Sequence, residues 1–146
     1  MKKSALQKAA AAPTSVPRTI GRLALGSVLV FAGVSHLSFA RKDFTAQVPK
    51  SLPFDEDVVV LASGIAEISL GAALVTHRRR RVPVGWIAAA FFTAIFPGNI
   101  SQLINHRDAF GLDTDRRRAV RLVFQPVLVA VSLWTTGAWR DRRALR

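Results

Sequence analysis

Five polar side chains stand inside runs of apolar residues where a polar group needs a reason to be: His36, Glu67, Asn99, Gln102 and Gln125. In hydrocarbon such groups must find partners, so they turn toward other helices or a cavity and become the first candidates for ligand binding or proton exchange. Two of them ionise. The spacing points both inward. Gly26 and Gly33 are seven residues apart, hence on one helical face, and His36 follows Gly33 by three. Gly64 and Gly71 repeat that interval with Glu67 between them. Small residues on one face mark close contact between helices. One histidine and one carboxylate are too few for a metal, which normally takes at least three protein ligands, so no metal is expected.

The runs that carry these residues define the architecture. Half of the 146 residues are apolar, yet 21 Lys and Arg oppose 9 Asp and Glu. The basic residues gather in five groups that alternate with four apolar stretches, as in a multi-spanning membrane protein. The spans are expected at about Thr19 to Ala40, Val58 to Thr76, Pro83 to Pro97-Gly98 with a polar continuation, and Ala119 to Trp139. The first, as a helix rising ~1.5 Å per residue, covers about 33 Å, enough for the hydrocarbon core. The fold class is therefore all-α, an integral membrane four-helix bundle over residues 18–140. Basic tails flank it: 1–17, expected to be disordered, and 141–146.

A secretory signal peptide is the competing reading of the first stretch, since Ser38-Phe39-Ala40 resembles a cleavage site. The run is long for such a segment, and its removal would discard the glycine face. Residues Arg41 to Asp57, with Pro49 and Pro53, read as a loop whose Asp55-Glu56-Asp57 suits a helix N-terminus. Pro83 opens the third span and Pro97 is expected to kink it.

Lys and Arg number 13 on the side holding both tails and Arg78 to Arg81, against 8 on the other. Both termini are therefore expected in the cytoplasm of a plasma membrane crossed several times, with Arg116 to Arg118 on the unfavoured side. In this orientation the five polar residues converge on the outer half, as a pocket opening outward. The arginines bracket apolar runs rather than forming a stripe on a folded surface, so nucleic acid is not an expected partner. Trp86, Trp134 and Trp139 fit an aromatic belt. Cysteine is absent, which excludes thiol chemistry and iron–sulfur ligation by this chain itself.

Several blocks together resemble the DoxX-like membrane proteins. They are His36-Leu37 with Phe44, Val48-Pro49, Leu52-Pro53, Ser63 to Glu67 with Gly71, Phe96 to Ile100, Arg121-Leu122 and Gln125-Pro126. The resemblance runs from about Gly21 to Trp139 in the family's order, with Gly98 where that family has alanine. It implies a four-helix membrane bundle and places the family's polar positions at His36, Glu67, Asn99, Arg121 and Gln125. It also implies association with membrane redox systems, the family being named after a subunit of a quinone-linked oxidoreductase.

Two functional classes follow. The first is a noncatalytic accessory subunit holding a small apolar or quinone-like molecule, or a membrane redox partner, in the outer pocket, with Glu67, His36 and Asn99 as hydrogen-bonding groups. The second is a small transporter or proton-coupled permeation unit, which with four spans would have to form a homo-oligomer. A structural scaffold, its polar residues only joining helices, is the third reading.

Overall fold

The computed structural model describes residues 13–142. It contains four long helices and one short one: α1 (Val16–Leu37), α2 (Arg41–Thr45), α3 (Glu56–Thr76), α4 (Arg81–Ile104) and α5 (Asp115–Thr135), with a 3-10 turn at Arg78–Arg80. The four long helices are each long and apolar enough to cross a membrane. Their outward faces carry large apolar side chains such as Ile20, Phe31, Ile65, Ile87 and Val123, all more than half exposed. Water would penalise that arrangement and lipid tails would not.

The bundle is two tight antiparallel pairs. In the first, α1 lies on α3 with Gly26 against Gly71 and Gly33 against Gly64. A Cβ built on Gly33 would stand 2.5 Å from the Gly64 carbonyl oxygen, and one on Gly71 would stand 2.5 Å from that of Gly26. Only hydrogen fits there, so the sequence spacing sets the register. In the second pair Gly85 of α4 receives Thr136 just past α5. Leu25, Leu29, Leu74 and Phe92 form the buried apolar core between the pairs, with Leu70, Ile95 and Leu128 packed around it.

Helix ends explain where the expected boundaries move. α1 starts three residues earlier than its apolarity suggests, because Pro17 sits in its first turn, where a missing N–H costs nothing. The last residues assigned to the N-terminal tail are thus helical; residues 1–12 lie outside the described residues, as do 143–146 of the C-terminal tail. The Asp55 side chain caps α3, accepting from the Asp57 and Val58 amides at 2.9 and 3.2 Å. Thr114 caps α5, whose first turns contain Arg116 to Arg118 rather than following them. The helix ends at Thr135, leaving Trp139 in the succeeding turn. α4 runs through Pro97 unbroken. The segment read wholly as a loop contains α2, a five-residue helix.

Arg22, which interrupts the first apolar run, is buried in the α1–α3 pair. Its guanidinium donates to the Leu74 carbonyl and, at 3.3 Å, to that of Val75. These belong to the last turn of α3, where unpaired carbonyls and the helix dipole favour a cation.

Candidate functional site

His36 reaches Glu67 because Gly64 makes room for it: a Cβ on Gly64 would lie 2.8 Å from the His36 Cβ. The imidazole Nδ1 is then 3.0 Å from Glu67 Oε2 and 2.8 Å from the Ala32 carbonyl oxygen. A single Nδ1 proton cannot be donated fully to both acceptors. The carbonyl has the better geometry, and Glu67 Oε2 lacks an aligned donor although it is fully buried. The two contacts describe one situation: an ion-pair distance without a satisfied hydrogen bond. Both residues are about 5% exposed, so this is a carboxyl group with acceptor capacity to spare, held where water is scarce.

Across the bundle, α4 and α5 are joined by amides. Asn99 Nδ2 donates to Gln125 Oε1 at 2.9 Å, and Gln125 Nε2 donates to the Phe92 carbonyl at 2.7 Å. Gln125 is the hub of this network. Gln125→Ala should therefore destabilise the bundle by about 1–3 kcal/mol, by removing the interhelical bond to the Phe92 carbonyl and leaving the buried Asn99 amide without its acceptor. Asn99→Ala, which leaves the Gln125–Phe92 bond intact, should cost less. Denaturation in mixed detergent micelles, followed by helical circular dichroism, would rank the two.

Between the pairs lies a chamber of about 450 Å³. Its polar wall includes His36, Glu67, Asn99, Arg121 and Gln125, and Leu29, Phe92 and Leu128 are among its apolar lining. Four of the five polar residues noted in the spans meet there. Gln102 does not: it is buried behind the chamber, accepting from Gln47 at 3.3 Å and from Arg121 at 3.4 Å while donating to the Arg107 carbonyl. Its role is to tie the two interhelical loops at this end to α4 and α5.

Those loops bring aromatic side chains that position-by-position reading of the spans passes over. Phe44 of α2 stacks on the His36 ring with centroids 3.2 Å apart, Phe110 meets Phe44 edge-on at 4.6 Å, and the Arg121 guanidinium lies 5.1 Å from the Phe110 ring centre. This ladder of imidazole, two phenyl rings and guanidinium covers the end of the chamber. Phe110 has φ of 57°, in the left-handed region that favours glycine, so a backbone cost is accepted to place its ring. Arg107 fastens the cover by donating to the Ala46 and Val48 carbonyls at 3.0 and 3.1 Å.

A second, more apolar cavity of about 410 Å³ lies between α3 and α4 and shares His36, Phe44, Gln47, Ser63 and Ile95 with the chamber. Val60, Phe91, Pro97 and Gly98 are among its other walls. An apolar slot and a chamber with a polar wall thus lie side by side. Among the described residues no three His, Asp or Glu side chains are grouped to hold a metal ion.

A family model described as a domain of unknown function, DUF8561, matches residues 25–136, a stretch that includes every residue of the chamber. No curated protein and no solved structure matches the chain. The match covers most of the sequence, and the chain belongs to that family.

Proposed function

We propose that this DUF8561 protein is a noncatalytic membrane subunit that holds a small lipid-soluble molecule with a hydrogen-bonding head, of which a quinone is the leading example. The observation that carries the reading is that the α3–α4 slot and the polar chamber lie side by side, with His36, Phe44, Gln47, Ser63 and Ile95 lining both. A volume of 400–450 Å³ in each falls within the usual range for small-molecule sites, about 300–1,000 Å³. The apolar tail of such a molecule fits the slot. Its oxygens would meet the Asn99 and Gln125 amides, the Arg121 guanidinium and the His36–Glu67 pair.

The resemblance to DoxX-like proteins supports a redox-associated setting, with the electrons handled by a partner. Orientation belongs to the same proposal: both termini in the cytoplasm of the plasma membrane, the chamber in the outer half. Two arginines of the opposing side, Arg117 and Arg118, have local partners that support this. Arg117 pairs with Asp113, and Arg118 with Asp108 and Asp115. They have structural employment independent of topology.

Equilibrium binding of a short-chain quinone analogue to purified protein tests the reading. Wild type should bind saturably. Ser63→Trp, which puts a large side chain at a residue lining both slot and chamber, should abolish binding while the helical content stays unchanged. Absence of saturable binding by the wild type would remove the proposal.

A further inference from the structure

The end of the bundle remote from the chamber holds a separate cleft of about 380 Å³ where the first turn of α1 meets the last turn of α5 and the chain beyond it. Its lining includes Arg18, Arg140, Trp134, Trp139, Leu133 and Ala130. The Arg18 and Arg140 guanidiniums and one carboxylate face one point: a Cβ built on Gly137 would lie 3.4 Å from Asp141 Oδ2 and 3.6 Å from both Arg18 Nη1 and Arg140 Nη2. Gly137 has φ of 71°, which lets the chain turn back between them.

Charge in this cleft is unbalanced. Arg18 Nη1 is buried and has no hydrogen-bond partner. The described carboxylate at hand, Asp141, is already engaged by Arg140 at 2.7 and 2.8 Å and by Arg81 at 3.4 Å. The hydrogen bonds from Arg140, and then the charges of Arg140, Arg81 and Arg18, hold its carboxyl below the usual range, so it stays ionised and occupied. Arg140 uses two of its five donors in that pair. α1 adds to the positive potential, since its first turn contains no acidic residue and its N-cap Ser15 makes no side-chain cap.

The other walls identify the class of anion. Trp134 and Trp139 are each about half exposed, and the Arg18 guanidinium lies 5.8 Å from the Trp134 ring centre. Leu133 and Ala130 continue from the arginine pair along α5 toward the middle of the span. A free inorganic anion has no use for that apolar track; an acyl chain does. Tryptophans commonly stand at the level of lipid headgroups, and basic residues there attract anionic lipid.

We propose that this cleft binds one anionic phospholipid, with Arg18 and Arg140 on the phosphodiester oxygens and an acyl chain along Leu133 and Ala130. The site is independent of the chamber and its ligand. It tests by native mass spectrometry of protein released from nanodiscs containing equal phosphatidylglycerol and phosphatidylcholine. Phosphatidylglycerol should be retained preferentially, and Arg18→Gln or Arg140→Gln should weaken its retention about fivefold each. Arg18→Lys should keep most of the preference, and Arg117→Gln at the opposite end should leave it unchanged. Millimolar inorganic phosphate should not displace the lipid. Equal retention of both lipids, indifference to Arg18→Gln in protein of normal helicity, or displacement by inorganic phosphate would each overturn the proposal.

Discussion

Gly33→Leu should separate α1 from α3 and collapse the stability of the bundle. The added Cβ alone would meet the Gly64 carbonyl oxygen at 2.5 Å, Ile68 Cγ1 at 2.7 Å and the Ile68 amide nitrogen at 2.9 Å. Two of those three atoms are backbone, which cannot rotate away. Overpacking of a close contact by a methyl group typically costs about 1–3 kcal/mol, so Gly33→Ala should already lower the unfolding midpoint in detergent, and leucine much further. Gly98→Ala is the contrast, since its nearest contact is the Gln47 carbonyl oxygen at 3.1 Å and little else is close. Equal stability for Gly33→Leu and wild type would mean that the glycine register does not hold the pair together. The same substitution should disturb the site, because the α1–α3 approach is what brings His36 to Glu67.

Glu67→Gln is expected to weaken ligand binding strongly while leaving the fold nearly untouched. The two side chains are nearly the same size, and Glu67 Oε2 has no aligned donor to lose. What disappears is a buried group able to accept strongly and exchange a proton beside an imidazole. Loss of a buried hydrogen-bonding partner typically costs about 1–3 kcal/mol, so binding of a quinone analogue should weaken by roughly tenfold. A thermal midpoint close to wild type would accompany that loss. If instead Glu67→Gln reduced stability and left affinity unchanged, the pair would be a fastening between helices, and the scaffold reading would stand.

The spans are legible because lipid demands long apolar runs, and the glycine spacing marks two faces of close helix contact, while which helices meet there, and in what register, appears only in the fold. His36 and Glu67 are aimed inward, at neighbouring helices, by the same spacing. Asn99 and Gln125 share the chamber because polar groups in apolar helices have few other places to go. Gln102 was indistinguishable from them by residue type. Its position near the end of α4, within reach of Gln47 and Arg107, put it behind the wall, and that depends on where two loops fold.

Loop conformation hid the rest. Phe44 rides on a five-residue helix and Phe110 on a left-handed residue, and neither leaves a periodic signal in sequence. Their stacking with His36 and Arg121 is a tertiary event. Arg22 was readable as an interruption but not as a donor to the end of a neighbouring helix, since its partners lie 52 and 53 residues away. Arg116 to Arg118 appeared to argue against the assigned orientation. In the fold, Arg118 is 5% exposed and shared between Asp108 and Asp115, which gives at least that arginine a structural reason to be there.

A photoreactive quinone analogue, irradiated on the reconstituted protein and mapped by peptide mass spectrometry, addresses the binding chamber most directly. Labelling should concentrate on residues shared by the two cavities, Phe44, Ser63 and Ile95, and should be suppressed by excess unlabelled analogue. Labels confined to outward-facing positions such as Phe31 and Val123, unaffected by competitor, would place the molecule in bulk lipid and leave the chamber without a ligand of this class.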